Sequence, residues 1–234
     1  MTTLIYHADS YAREVDALVT AIDGTRVALD QTVFYAQGGG QPADHGLLSW
    51  ADGEARVRDV RRTGDEVWHD LDGPLPAVGS AVHGAIDWER RYALMRAHTA
   101  LHILCGVIWR DYGARVTGGS MEPGSARMDF ELESMSANFA AEVEERINAE
   151  VAADREIRVR QLPRDEAFAI PDLIRTRINL LPPEIQVVRV VEIVGLDLQA
   201  DGGTHVARTG EVGRISVTGH ESKGRINKRL RLAL

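Results

Sequence analysis

Cysteine is all but missing: Cys105 stands alone among 234 residues. One thiol excludes an internal disulfide and any zinc knuckle built from several cysteines. It also suits a reducing compartment. Aromatic side chains are few, at 6%. Lysine occurs only as Lys223 and Lys228. No apolar run approaches the length of a membrane span. The opening MTTLIYHADSYARE has no basic head followed by an apolar block, so no secretory signal is read. The expectation is a soluble, cytoplasmic protein with no membrane contact and no obligate protein partner.

What is present is ordinary for a folded chain. A hydrophobic share of 44% and a charged share of 26% exclude wholesale disorder. A chain of this length forms one large domain or two small ones and can bury a core without staples. The net charge of −8 argues against a generic polyanion binder, but it is unevenly placed. Residues 1–87 hold 14 acidic and 6 basic side chains, whereas residues 88–234 hold 21 of each. Residues 214–234 carry Arg214, Lys223, Arg225, Lys228, Arg229 and Arg231 against Glu221 alone. Screening confines each charge to about 10 Å, so such a stripe can meet phosphates on an acidic molecule. It can equally keep an edge strand from aggregating.

The hydrophobic pattern changes once along the chain. Up to residue 87, short β-rich runs alternate with Asp23-Gly24, Asp52-Gly53 and Thr63-Gly64-Asp65, which are hairpin signals. That spacing predicts a small barrel or sandwich. From Trp88 to Gly113, Leu94, Ala97, Leu101, Leu104 and Ile108 recur at helical spacing, with Asp87 as N-cap and Gly113 as stop. A second helix is expected over Ser136–Ala153, with Phe139, Val143, Ile147 and Val151 as its stripe. Strands are expected at 157–159, 187–194, 212–217 and 226–232. Pro163, Pro171 and Pro182-Pro183 mark turns that bound short helices. The fold class is α+β, with domains at 1–88 and 89–234.

Two clusters carry chemistry. His98 and His102 are one helical turn apart and can chelate a divalent ion. Thr99 follows His98 where a metalloprotease helix would have glutamate, which excludes that class. Farther on, Asp201-Gly202-Gly203-Thr204-His205 offers a turn whose glycines bring Asp201 and His205 to one side. Taken singly, His205 reads as a loop histidine and Asp201 as an Asx-turn residue; taken together with the helical pair, they complete a ligand set. Cys105 reads as a small buried residue. The second feature is Gly38-Gly39-Gly40, between Thr32 and Gln41. It lacks the Lys-Ser/Thr of a phosphate loop and the helix of a dinucleotide fingerprint. It can be a tight bend or a backbone surface that approaches a ligand closely.

These residues, in order, resemble the free-standing alanyl-tRNA editing proteins (AlaX type), which are similar to the editing domain of alanyl-tRNA synthetase. The resemblance rests on Phe34-Tyr35 followed by Gly38-Gly39-Gly40-Gln41-Pro42, on His98-Thr99-Ala100-Leu101-His102, on Gly202-Gly203-Thr204-His205-Val206 and on Arg208-Thr209-Gly210. It closes with Glu221-Ser222-Lys223-Gly224-Arg225 and Lys228-Arg229. It implies an N-terminal glycine-rich β-barrel and an α/β editing domain with helices on a mainly antiparallel sheet. It implies hydrolysis of the ester in mischarged tRNA(Ala), chiefly Ser-tRNA(Ala) with Gly-tRNA(Ala) as a second substrate, sparing Ala-tRNA(Ala). It implies one zinc ion at His98, His102 and His205. Where the family has cysteine this chain has Asp201, which can bind the metal directly, hold a water on it, or support a neighbouring ligand. The ion can acidify a water or anchor the substrate. A site that hydrogen-bonds the seryl hydroxyl can reject alanine by roughly 10⁴, and Thr32 is the candidate partner, with Gln41 assisting. Gly38, Gly39 and Gly40 are read as substrate contacts, and Arg127 as a contact to the tRNA end or an ion-pair partner of Asp129. Lys223, Arg225, Lys228 and Arg229 are assigned to acceptor-stem phosphates. Two other readings stand beside this one: a non-catalytic RNA-binding module, and a metal-dependent hydrolase of small esters.

Overall fold

A computed structural model describes residues 1–133, 136, 138–177, 181, 183 and 185–234. Two compact units are present, Met1–Ala93 and Leu94–Leu234. Pro182 of the expected Pro-Pro turn lies outside the described residues.

In the first unit a two-residue strand β1 (Thr3–Leu4) leads into one turn of helix, α1 (Ile5–Ala8). Strands β2 (Glu14–Asp23) and β3 (Arg26–Leu29) form the hairpin expected at Asp23-Gly24, where Gly24 takes φ 59°. The short β4 (Gln31–Thr32) pairs in parallel with β1. Then come β5 (Gly46–Trp50), β6 (Gly53–Thr63), β7 (Glu66–Asp72) and β8 (Ala81–Ile86). Six of these close into an antiparallel barrel in the order β2-β3-β7-β6-β5-β8. Closure leaves no barrel strand with an open edge. Inward residues alternate along each strand, as Val15, Ala17 and Val19 do on β2. On β6 the buried positions run Ala55, Val57, then Val60. The skipped parity is a bulge between Val57 and Asp59, which re-aims the end of the strand.

Phe34 plugs this barrel and is fully buried. It requires small neighbours: a Cβ on Gly84 would sit 3.0 Å from its ring, and one on Gly46 would run into the Ala85 carbonyl. The segment that carries Phe34 is held by a buried ion pair. Arg91 Nε lies 3.1 and 3.0 Å from the two Asp44 oxygens, and Arg91 also donates to the carbonyls of Ser10 and Val33. Asp44 in turn accepts from the Tyr35 amide at 2.7 Å.

Helix α2 (Trp88–Tyr112) starts and stops as expected. Asp87 accepts from the Arg90 amide at 3.1 Å, and Gly113 follows the helix at φ 63°. Leu94, Ala97, Leu101, Leu104 and Ile108 are buried as their spacing requires, and burial extends to every residue from Ala97 to Ile108. This is an interior helix, polar where it carries chemistry and apolar elsewhere.

The second unit continues with the hairpin β9 (Val116–Glu122) and β10 (Ser125–Glu131), then α3 (Phe139–Ala152). Helix α3 begins at Phe139 rather than Ser136, whose carbonyl accepts from the Phe139 amide. Phe139, Val143 and Ile147 are buried as its stripe requires. Strand β11 (Ile157–Pro163) runs longer than expected, because it pairs along its length with β12 (Val187–Ile193). Between them, the short α4 (Arg164–Phe168) sits between Pro163 and Pro171. Strand β13 (Asp197–Ala200) completes a three-stranded antiparallel sheet. The expected strand at 212–217 is corrected. Thr209–Val212 is a 3-10 turn, closed by Glu211 accepting from the Ala207 and Arg208 amides, and the strand starts only at Ser216. Strands β14 (Ser216–Ser222) and β15 (Asn227–Ala233) join β10 and β9 in an antiparallel sheet ordered β14-β15-β10-β9. The α+β class, with its barrel and antiparallel sheets, is the observed one.

The Arg91–Asp44 pair generates a stability test. Arg91→Met leaves a buried carboxylate unpaired and is expected to cost about 3–5 kcal/mol in urea unfolding. Removing both charges with Asp44→Leu in the same chain should recover part of that loss.

Candidate metal centre

The interior helix and one close approach position the centre. A Cβ on Gly106 would lie 2.8 Å from Leu196 Cγ and 3.1 Å from Asp197 Cβ. The missing side chain lets the β12–β13 turn press against α2, one helical turn from His102. Arg96 of the same helix reaches the Val212 carbonyl with Nε and Nη2, at 2.9 and 2.8 Å. The 201–212 segment is thereby held to the helix.

Asp201 opens that segment. Its amide donates to the Arg189 carbonyl, and its Oδ2 accepts from the Gly203 amide at 2.8 Å. That bond is an Asx turn. Neither Gly202 nor Gly203 takes a positive φ, so the turn depends on Asp201 more than on glycine freedom. The same Oδ2 lies 3.0 Å from His205 Nε2, and Oδ1 lies 3.5 Å from His98 Nε2. One ligand atom from each of His98, His102, Asp201 and His205 falls within 4.8 Å of the others. The rings of His98 and His205 stack with centroids 4.2 Å apart, and His102 stands edge-on to both.

The remaining ring nitrogens are engaged on the far side. His205 Nδ1 is 3.2 Å from Thr99 Oγ1, which also accepts from the Val206 amide. His98 hydrogen-bonds the backbone of Thr204. His102 Nδ1 lies 3.2 Å from Asp197 Oδ2. Such outer partners are what orient imidazoles toward a cation. Burial, aided by the neighbouring His102 and Arg189, pushes His98 down to about 4. Burial and the His98 charge hold His205 well below the usual histidine range. Burial pushes Asp201 up, but His98 and the bond from His205 outweigh it and keep the carboxyl well below its usual value. Burial pushes His102 down, but the Asp197 bond and the Asp201 and Asp197 charges outweigh it and raise its pKa. Two imidazoles held neutral and an ionised carboxylate suit a divalent cation, which His102 would bind by giving up a proton. The donor set therefore fits a metal ion.

Thr32 is fully buried in the barrel unit, where its hydroxyl lies 2.8 Å from His69 Nε2 and accepts from the Phe34 amide at 3.0 Å. His69 Nδ1 faces the Val27 carbonyl at 3.2 Å, which makes Nε2 the acceptor and Thr32 the donor. Gln41 is buried too. Its amide and carbonyl exchange bonds with Gly38 at 2.9 and 3.1 Å across Gly39 and Gly40, whose φ values are 57° and 86°. This is the tight turn with left-handed φ at both central residues. Arg127, about a third exposed, lies 3.5 Å from Asp129. In the basic tail, Arg229 makes two 2.7 Å bonds to Asp129, and the Lys228 ammonium caps Ser222, Gly224 and Arg225 at the β14–β15 turn. Lys223 and Arg231 both approach Glu221. Arg225 is exposed, with no ion pair among the described residues. The tail is thus partly paired: Asp129 and Glu221 answer some of its cations, while Lys228 is held by uncharged oxygens. Thr99, Asp197 and Gly106 were not picked out as site residues; their types are common on helices and turns, and only the fold brings Thr99 to His205, Asp197 to His102 and Gly106 to Asp197.

A family model described as the threonyl and alanyl tRNA synthetase second additional domain matches residues 188–231. One described as tRNA synthetases class II (A) matches residues 4–90. The chain is 41% identical to the alanyl-tRNA editing protein AlaX-M of Saccharolobus solfataricus, over 98% of both chains. It is 36% identical to AlaX-M of Methanosarcina barkeri, over 100% of this chain and 99% of the other. Against the alanine–tRNA ligase of Pyrobaculum neutrophilum it is 40% identical over 92% of its own length, which is 25% of the ligase. No helix among the described residues is long and apolar enough to cross a membrane.

His69 gives a test of the barrel unit. Burial pushes its pKa down to about 4 from 6.5. The unfolded chain therefore binds the extra proton first. Stability is full above pH 6.5 and declines as pH falls toward 4, by roughly 3 kcal/mol in all. Urea midpoints at pH 7.5 and 4.5 should show this component in the wild type and lose it in His69→Gln.

Proposed function

The chain belongs to the alanyl-tRNA editing protein family, and from that membership we propose that it deacylates mischarged tRNA(Ala) in trans. Ser-tRNA(Ala) is the chief substrate, Gly-tRNA(Ala) a second, and Ala-tRNA(Ala) is spared. Residues 89–234 act as the editing domain and residues 1–88 as the glycine-rich barrel domain. What carries the reading is the convergence of His98, His102, Asp201 and His205 on one small space. Zinc is the ion the three imidazoles suit best, with Asp201 in place of a thiolate as the fourth donor. Bound there, it would supply a Lewis acid beside the ester.

The residues of the chain do the rest. An aminoacyl ester is intrinsically labile, so orientation matters more than a nucleophile. Cys105, the one thiol, is buried, and burial raises its pKa well above the usual value, so it offers no thiolate. Thr32 is assigned the substrate hydroxyl. Its proton is given to His69 and one lone pair to the Phe34 amide, so it would meet seryl O–H as an acceptor. Alanine, with no hydroxyl, makes no such bond; neither does glycine, so Thr32 is assigned to the seryl substrate alone. Gln41 and the Gly38–Gly40 turn line the same loop as substrate contacts, and Arg127 is assigned the tRNA end. The phosphate contacts fall chiefly on Lys223 and Arg225, since Lys228 and Arg229 are tied to the hairpin.

Incubation of the purified protein with seryl-, glycyl- and alanyl-tRNA(Ala), with and without chelator, tests the reading. Loss of the seryl ester, arrest by chelator, and a fall of at least about 100-fold in His205→Ala are expected. A protein that spares all three esters is an RNA-binding module instead. Thr32→Val should erode the preference for serine over alanine, and unchanged discrimination would remove Thr32 from the site. For the tail, Arg225→Gln should weaken tRNA binding and lower the slope of log K against log salt by roughly one. Lys228→Met should instead lower the melting temperature.

A further inference from the structure

We propose that Asp197 is a positioning residue that selects which nitrogen of His102 is offered to the metal, with Gln199 and Arg175 holding its carboxylate in place. The proposal rests on reading the four-residue cluster as a metal site. Asp197 is the first residue of β13, and its carboxylate is fully buried. Its Oδ2 stands 3.2 Å from His102 Nδ1, within ion-pair reach though not aligned as a full hydrogen bond. The same oxygen accepts from Gln199 Nε2 at 2.6 Å. The other faces Arg175 Nε at 3.5 Å, and the Arg175 guanidinium lies over the Trp109 ring of α2, 4.6 Å from its centroid.

The chemistry follows from the donor inventory. An ionised carboxylate only accepts. Facing it, a neutral imidazole must carry its proton on Nδ1, which leaves the Nε2 lone pair for the cluster. With the opposite tautomer, two acceptors would face each other inside the protein. Thr99 and Thr204 serve His205 and His98 with neutral groups; His102 alone is backed by a charge. That charge also makes the imidazole a stronger base toward a cation. Arg175 explains how the carboxylate tolerates burial beside an apolar helix. Gly106 explains how it arrives there.

Two readouts test this without tRNA. In the metal-free protein, imidazole ¹⁵N spectra should show His102 protonated on Nδ1; Asp197→Asn should populate both tautomers, because an amide can turn either face to the ring. Zinc affinity, measured by competition with a chromophoric chelator, should fall 10- to 100-fold in Asp197→Asn. If that variant fails to fold, Asp197→Leu with Arg175→Met removes both buried charges and should show the same loss of affinity. A folded variant with unchanged tautomer and unchanged affinity overturns the proposal. Wild-type protein that binds no zinc overturns the metal reading instead; the ¹⁵N spectra then decide alone, and His102 protonated on Nε2 sinks the role of Asp197.

Discussion

Three imidazoles and one carboxylate share a buried space less than 5 Å across, and much of the second unit exists to make that tolerable. Polar groups taken out of water cost free energy unless each is partnered. The fold meets this cost from outside the cluster. Helix α2 is enclosed on all sides from Ala97 to Ile108, so His98 and His102 cannot turn to solvent. Thr99, Thr204 and Asp197 then engage one nitrogen of each ring. What remains is a set of ring nitrogens aimed at a common point, with a single carboxylate to answer them.

The barrel unit buries polar groups on different terms. Arg91 occupies both oxygens of Asp44, and the Tyr35 amide adds to one of them. His69 spends one nitrogen on the Val27 carbonyl and the other on Thr32. These arrangements are closed: donors and acceptors match. Closed networks rigidify a fold and specify its core. The histidine cluster is open, because Asp201 cannot satisfy three rings. That difference in pairing, rather than burial itself, separates the polar interior that holds the loop from the polar interior that could take up a cation. Thr32 sits at the edge of the distinction. Its hydroxyl belongs to a closed bond with His69, yet one lone pair is left over for a ligand.

Much of this was legible in the residues. The hairpins at Asp23-Gly24 and Thr63-Gly64, the helix bounded by Asp87 and Gly113, and the joining of His98 and His102 to Asp201 and His205 all follow from local turn chemistry and spacing. What failed to show has a physical cause in each case. Periodicity marked the apolar face of α2 but not the enclosure of His98, Thr99 and His102, which comes from elements far along the chain. Thr209–Val212 looked like a strand start because its valine and flanking residues favour β structure, while the Glu211 side chain closes a turn over the amides of 207 and 208. For the basic tail, sequence lists charges without their partners. Asp129, distant in sequence, takes Arg229, and three backbone or hydroxyl oxygens take Lys228.

Asp201, which stands where the resemblance implies cysteine, is where the local structure speaks most directly. A thiolate and a carboxylate carry the same charge, so the exchange keeps the electrostatic balance with a divalent ion. They differ in hydrogen bonding. A thiolate accepts weakly, whereas the Asp201 carboxylate already closes the turn through the Gly203 amide while its two oxygens reach His205 and His98. The Asx-turn role and the ligand role, which looked like alternatives in the sequence, are therefore open to one side chain at once. The turn fixes the carboxylate before any ion arrives, and the oxygen that holds the turn is the one nearest His205. A hard donor fixed in this way should hold zinc less tightly than sulfur does, and it should discriminate less among divalent ions. The preorganised turn offsets part of that loss, because the ligand pays little conformational entropy on binding.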